Sequence, residues 1–246
     1  MADMTTYPHG KFSWADLQTP AIDDAKRFYS QLFGWDLRDQ KVGEGYTYTT
    51  ALLRGRSVVG MGAPPPGAPP MPAFWTCYVN VDDVDAIARR VTEHGGKVVM
   101  PPMDIMTEGR MLMIQDPGGA TLGCWQPKNH RGAQIMNEPS TLCWFELMTR
   151  DVPEARTFLS AVFGWAFKES PEYSEISLGD AAVGGVMPTP AMVPASVPPS
   201  WTPYFTVTDV AATCAKATTL GGSVRVPPTD IPKVGTFAVL ADPQGG

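Results

Sequence analysis

Histidine is scarce in this 246-residue chain: His9, His94 and His130 are the only three, and they lie far apart. Imidazole is the commonest protein ligand for transition metals, so no histidine-rich metal motif can be read from neighbouring positions. Cysteine is scarce as well. Cys77, Cys124, Cys143 and Cys214 have neither the paired spacing of a zinc site nor the density of a disulfide scaffold. No stretch approaches the roughly 20 apolar residues that span a bilayer, and the opening MADMTTYPHGKF has no apolar segment of the signal-peptide kind. A cytoplasmic location and no membrane partner are the resulting expectations. Only 18% of residues are charged, and the net charge is −6 with no basic stripe, which argues against a nucleic-acid partner and leaves room for a cationic ligand. Gly43–Gly45 and Gly60–Gly62 read as turn or edge glycines, because no Gly-Lys-Ser/Thr follows them as in a phosphate loop.

What the chain does contain is an internal duplication. Residues 14–35, WADLQTPAIDDAKRFYSQLFGW, return without a gap as residues 144–165, WFELMTRDVPEARTFLSAVFGW. Later matches are offset by 126 residues: Trp75 with Trp201, Asp83 with Asp209, Gly95-Gly96 with Gly221-Gly222, and Asp116-Pro117 with Asp242-Pro243. Two homologous modules of about 120 residues are implied, each a comfortable domain size.

Within each module the hydrophobic period changes twice. Lys11–Gln18 alternates as a strand, with Phe12, Trp14, Asp16 and Gln18 on one face. Indole, carboxylate and amide on one face suit a cavity wall better than a core. A helix over Ile22–Phe33 follows, with Ala25, Phe28, Tyr29 and Leu32 on its apolar stripe. In the second copy Asp151 is the expected N-cap with Glu154 three residues on, and Gly34 and Gly164 stand where a left-handed C-terminal residue is wanted. Strands are expected near 35–41, 46–53 and 56–61, so the unit is β-α-β-β-β. After the proline-rich spacer PPPGAPPMP at 64–72 the order repeats: strand 74–81, helix 83–94 and further strands, with Ala120–Gln126 closing the module after the Asp116-Pro117-Gly118-Gly119 turn.

The expected organisation is a flexible leader over 1–10, a first module over 11–126, a polar linker over 127–140 that contains His130, and a second module over 141–246. A looser proline-rich spacer spans Pro188–Pro203, and Gly179–Ala181 reads as a hairpin turn. The sequence stops at Gly246, where the counterpart of the Ala120–Gln126 strand begins, so that last strand is absent and a longer natural product is expected.

Paired β-α-β-β-β units, the LFGW helix end, the Gly-Gly after the second helix and the Asp-Pro-x-Gly turn resemble the vicinal oxygen chelate superfamily of glyoxalases, bleomycin-resistance proteins and extradiol dioxygenases. Within it the chain is similar to an actinobacterial tandem branch labelled glyoxalase-like or hydroxylase. The resemblance implies an α+β fold in which each module is a U-shaped, incompletely closed mixed-sheet barrel around a pocket. In metal-dependent members the ion is held by His, Gln or Glu from the first strand of each unit and by Glu near its end. The matched positions here are Trp14, Trp144, Thr76, Thr202, Gly123, and a position around Gly60 and Gly184. None is a good donor to a divalent ion, so no metal cofactor is expected.

What remains is Asp16 and its counterpart Glu146, each two residues past the tryptophan and on its face. Burial would raise their pKa and suit general acid–base work; the bland alternative is a hydrogen bond to the backbone or a partner side chain. Trp14 and Trp144 offer flat surfaces to an aromatic or cationic ligand. Gln18, Tyr48, Thr76 and Thr202 complete the candidate ligand-binding set, and Met103, Met106, Met111 and Met113 read chiefly as core. Cys214 stands where the other repeat has Ala88 and reads as core filler. Three functions follow: a metal-free small-molecule binder; a glyoxalase-like lyase or an oxidoreductase of the hydroxylase or dioxygenase kind; and a non-catalytic interaction protein. A monomer and a homodimer are both open.

Overall fold

The computed structural model describes residues 6–42, 45–64, 67 and 71–246. The first half of the chain forms β1 (Phe12–Gln18), α1 (Ile22–Phe33), β2 (Asp36–Lys41), β3 (Thr47–Leu53), β4 (Arg56–Gly62), β5 (Phe74–Asn80), α2 (Val84–Glu93), β6 (Lys97–Ile105), β7 (Gly109–Gln115) and β8 (Thr121–Pro127). The second half repeats the order with β9 (Leu142–Thr149), α3 (Val152–Phe163), β10 (Ala166–Glu169), β11 (Ser174–Leu178), β12 (Ala181–Pro188), β13 (Ser200–Phe205), α4 (Val210–Thr219), β14 (Ser223–Ile231) and β15 (Gly235–Ala241). The fold is α+β in two tandem modules. Its mixed sheets stay open, with strand orders β2-β3-β4-β1-β5-β8-β7-β6 and β10-β11-β12-β9-β13, and β14 and β15 pair separately.

Helix boundaries follow local chemistry. The Asp83 carboxylate accepts from the amides of Asp85 and Ala86, Asp151 accepts from Glu154 and Asp209 from Ala212, so three of the four helices begin on an aspartate cap. α1 and α3 end on Gly34 and Gly164, both at φ 73°, a left-handed conformation that costs glycine little. The buried stripe of α1 is Ala25, Phe28, Tyr29 and Leu32, as its 3.6-residue period predicts.

Contacts divide the chain into two compact units that recombine the repeats. One contains the chain up to Ala15 with Thr76–Gln134 and Trp144–Tyr204; the other contains Asp16–Trp75, Ile135–Cys143 and Phe205–Gly246. In the first unit the core is aromatic: Phe12 stacks on Phe145 at 4.3 Å, and Trp165 packs on Phe12, Phe163 and Trp201. The indole N–H of Trp165 donates to the Gly10 carbonyl at 2.7 Å. In the second unit Trp35 plays the same part among Tyr29, Phe33 and Phe205, donating to the Ser140 carbonyl at 2.8 Å. Gly96 lies against Phe158 in the first unit and Gly222 against Phe28 in the second; a Cβ on either would stand within 3.0 Å of the ring and of a backbone oxygen. The second glycine of each Gly-Gly pair thus admits the helix phenylalanine of the other repeat.

Several expectations change. The leader is anchored over its described part: Tyr7 is buried with its hydroxyl on the Ala133 carbonyl at 2.6 Å, and the Gly10 amide donates to Asn80. Residues 1–5, the turn residues Gly43 and Glu44, and 65–66 and 68–70 of the spacer lie outside the described residues. Met103 is exposed on the edge strand β6 and Met106 in the turn that follows it; Met111 and Met113 on β7 are partly buried. The 127–140 connector is packed, with the amides of Lys128 and His130 on the Glu108 carbonyl and Ala133 N–H on Ser13.

Candidate functional site

The Glu146 cluster lies within the first unit. β9 and β12 pair in parallel with Glu146 opposite Gly185, and the hydroxyl of Tyr173 stands over that glycine. A Cβ on Gly185 would sit 1.8 Å from the Tyr173 oxygen, so the missing side chain is what admits the phenol. The Trp144 indole N–H donates to the Tyr173 hydroxyl at 2.8 Å, and the Tyr204 hydroxyl donates to Glu146 Oε1 at 2.8 Å. Burial pushes the Glu146 carboxyl above the usual carboxylate range, while hydrogen bonds from Tyr204 and Tyr173 pull it partly back. Burial, and the Glu146 charge beside it, push the Tyr173 phenol well up.

The second unit holds the matching group from the first repeat. Asp16 pairs with Gly60 across β1 and β4, and a Cβ on Gly60 would fall 1.7 Å from the Tyr48 hydroxyl. That hydroxyl reaches toward Asp16 Oδ2 at 3.4 Å, and Asp16 is buried. Tyr46 lies over Gly62 beside Gln18; burial raises its phenol and the Gln18 hydrogen bond opposes the shift. In register Gly185, not Gly184, is therefore the counterpart of Gly60. Gly184 instead meets the Phe145 carbonyl, with 2.6 Å left to a Cβ.

The other candidates fall into place by strand alternation. Thr76 is buried and shares a face of β5 with Tyr78, whose ring covers Gly123 with 2.3 Å left to a Cβ. Thr202 is partly buried and shares a face of β13 with Tyr204. Trp14 is buried and meets His130. The phenols of Tyr173 and Tyr204 do not stand out in the sequence, because only the ladder register shows which alternate residues converge. Glycine opposite a carboxylate, with a tyrosine twelve residues before it, was the available signal. Two open hollows of about 430 and 420 Å³, lined by His94, Pro117 and Glu154 and by Asp209 and Pro228, lie on other residues.

Comparison with known proteins decides the family. The sequence profile of the Glyoxalase/Bleomycin resistance protein/Dioxygenase superfamily matches residues 11–123 and 141–246. The chain belongs to this superfamily. Among its glyoxalase relatives, "Putative glyoxylase CFP32" of Mycobacterium bovis is 45% identical over 252 residues, covering 100% of this chain and 95% of the relative. "Anthracycline biosynthesis protein DnrV" of Streptomyces peucetius is 34% identical, covering 98% of this chain and 93% of the relative. Among solved structures, the Mn(II)-bound glyoxalase from Novosphingobium aromaticivorans superposes with a TM-score of 0.65 at 16% identity, over 96% of this chain and 80% of that one. The 2,3-dioxygenase LapB from Pseudomonas sp. KL28 does so with a TM-score of 0.65 at 13% identity, over 96% and 90%.

The superfamily's metal can be tested against the residues present. Gly60, Gly123 and Gly185 stand at unit-end positions, and tyrosine rings occupy the space a carboxylate side chain would need. Trp14, Trp144, Thr76 and Thr202 stand at the first-strand positions. This set does not fit a divalent ion. Among the described residues no group of three or more His, Cys, Asp or Glu is arranged to hold one.

The glycine device yields a prediction. Gly185→Ala drives the Tyr173 ring off the strand, because the methyl and the phenol oxygen cannot share 1.8 Å. Since Tyr173 ends in a movable side chain, the expected stability loss is only about 1–2 kcal/mol. The larger effect is local: Trp144 loses its hydrogen-bond acceptor and its indole N–H resonance shifts. An unchanged indole N–H resonance of Trp144 in Gly185→Ala, assigned in the NMR spectrum by its loss in Trp144→Phe, would contradict this placement of Tyr173.

Proposed function

We propose that the chain is a metal-independent binder of small, flat organic molecules, and that Glu146, flanked by Tyr173, Tyr204 and Trp144, is the recognition centre of the second module. The observation that carries the reading is a half-buried carboxylate served by two phenols beside an indole, on the paired strands β9 and β12. A carboxylate in that setting recognises a hydrogen-bond donor or a cation, because a charged acceptor strengthens such a bond. The indole and phenol rings give flat apolar contact. Asp16, Tyr48 and Gln18 supply the related chemistry in the second unit. The relative named for anthracycline biosynthesis supports a planar aromatic ligand.

An acid–base enzyme is the second reading, favoured by the raised carboxyl of Glu146 and by the glyoxylase name of the 45%-identical relative. Here Glu146 would take a proton from a carbon or hydroxyl acid, and the phenols of Tyr173 and Tyr204 would hold its charge.

The test is titration with quinizarin, a flat dihydroxyanthraquinone, followed by quenching of tryptophan fluorescence. Glu146→Gln and Trp144→Ala are each expected to weaken binding about tenfold or more, the scale of losing one charge-assisted hydrogen bond or a stacking partner. Wild-type binding is expected to strengthen as pH rises through the raised pKa of Glu146, because only the ionised form accepts two donors; Glu146→Gln removes that dependence. Equal affinity in wild type and both variants would remove the site. Stoichiometric zinc, nickel, iron or manganese in protein purified without chelator would overturn metal independence.

A further inference from the structure

Two of the histidines stand in contrasting places. His130 is packed between the indoles of Trp14 and Trp125, at 4.5 and 5.6 Å between ring centroids. His94 is exposed at the rim of the open hollow of about 430 Å³, which Gly95, Pro117, Glu154, Thr157 and Phe158 complete. The hollow lies within the first unit, where the end of α2 and the Asp116-Pro117 turn meet the first half of α3. Its floor is the ring of Phe158, which is buried and lies against Gly96. Next to Pro117 in the chain, the Asp116 carboxylate is buried, with Oδ1 on the Ala120 amide at 2.8 Å. Burial pushes the Asp116 carboxyl above the usual carboxylate range, and the Glu154 charge adds to the push. Two carboxylates thus repel one another beside this hollow.

The internal duplication supplies a reference for what belongs there. Glu154, Thr157 and Phe158 on α3 match Asp24, Arg27 and Phe28 on α1, and Gly95 and Pro117 match Gly221 and Pro243. In the second unit the Arg27 guanidinium pairs with Asp24, so the chain supplies its own cation one helical turn from the acid. In the first unit the acid is kept as Glu154 and the arginine is replaced by Thr157, whose hydroxyl turns back to the Pro153 carbonyl at 2.9 Å. The basic side chains of α2 and α3 do not make up the loss. Arg156 pairs with Glu169, Arg90 donates to the Val162 carbonyl at 3.3 Å, and Arg89 acts on Asp85. Among the described residues no ion pair reaches Glu154.

We propose that this hollow binds a small organic cation of the guanidinium or amidinium class, which takes the place that the Arg27 side chain holds in the other repeat. The planar fork of N–H donors matches the Glu154 carboxylate. His94 offers a ring nitrogen as a further acceptor at the rim, and Phe158 and Pro117 give apolar contact to the face of the ion and its stem. Two carboxylates exclude an anion. A metal ion finds no set of three donors among the described residues. Because Glu154 is exposed, the affinity expected is millimolar and falls as salt is added. The hollow shares no residue with the Glu146 cluster, and the proposal goes beyond the reading of that cluster without resting on it.

The experiment uses the full chain at low salt, with benzamidinium as the probe and benzamide, its uncharged analogue, as the control. Binding is followed by NMR at the Thr157 methyl signal, assigned by its loss in Thr157→Arg, and by calorimetry. Benzamidinium is expected to move the Thr157 methyl signal in a saturable way, and benzamide to bind at least about fivefold more weakly, the scale of one exposed ion pair. Glu154→Gln is expected to weaken benzamidinium about fivefold. Thr157→Arg, which returns the internal cation to the helix, is expected to remove saturable binding, and Glu146→Gln to leave it as in wild type. Equal affinity for benzamide, unchanged affinity in both Glu154→Gln and Thr157→Arg, or no saturable binding of benzamidinium would each overturn the proposal. If Glu146→Gln removes benzamidinium binding while Glu154→Gln does not, the cation is read at the other cluster and this proposal falls alone. If Glu154→Gln weakens benzamidinium while Glu146→Gln leaves quinizarin binding intact, only the Glu146 site falls.

Discussion

Trp165→Ala is expected to lower the free energy of unfolding by about 3–5 kcal/mol, the range for removing a large buried aromatic side chain. Trp165 is 1% exposed and lies in the ring cluster of the first unit, 5.4 Å from Phe12 and 4.7 Å from Phe163 between centroids. Its removal opens a cavity between rings that are themselves locked by packing, so collapse is partial and the cost is high. The Gly10 carbonyl also loses its indole donor. Trp165→Phe separates the two contributions: it keeps most of the apolar contact and leaves the carbonyl unsatisfied, for an expected loss of about 1–3 kcal/mol. Urea unfolding followed by circular dichroism reads both, and a loss below about 1 kcal/mol in Trp165→Ala would contradict the packing described. Trp35, with its own ring cluster and its bond to Ser140, predicts a comparable loss in the second unit.

Acidification is expected to cost on the order of 3 kcal/mol through His130 alone. Burial depresses the folded-state pKa of His130 to about 4 from the ordinary imidazole value of 6.5. Between those values the unfolded chain binds the proton and the folded chain does not, so stability falls as pH drops from about 6.5 to about 4 and levels off below. The slope approaches about 1.4 kcal/mol per pH unit at its steepest. Glu146 and Asp116 act in the opposite sense, because burial raises both carboxyls and the folded state takes up their protons first. The readout is therefore the difference between wild type and His130→Phe in urea midpoint across pH 7 to 4. A difference that stays constant over that range would mean the imidazole titrates normally and is not enclosed by the indoles.

The two strands that carry the carboxylates show what could be read early. Phe12, Trp14, Asp16 and Gln18 alternate, and the structure puts Trp14 on His130, Asp16 beside Tyr48 and Gln18 beside Tyr46. A face of that composition was legible because side-chain direction in a strand depends only on parity. Its partners were not. Tyr48, Tyr173 and Tyr204 meet the carboxylates through ladder registers and long-range contacts, and a one-residue slip, such as Gly184 for Gly185, would send each to the opposite face. His130 read as a residue of a polar linker because nothing local marks a connector that is held by carbonyls on β1 and between β6 and β7. The exposure of Met103 and Met106 was illegible for a related reason, since only the strand order puts β6 at the sheet edge and Met106 in the turn beyond it.

Periodicity, caps and the repeat itself determined the elements, their order and the superfamily, because each rests on interactions within a few residues or on similarity between the two halves. Only the tertiary structure decided which repeat packs on which. It also decided which glycine makes room for which tyrosine and which histidine faces the indoles. Those are contacts between residues far apart in the chain, 155 positions in the Trp165–Gly10 bond and more between Gly222 and Phe28, and their energies depend on burial that no local pattern specifies.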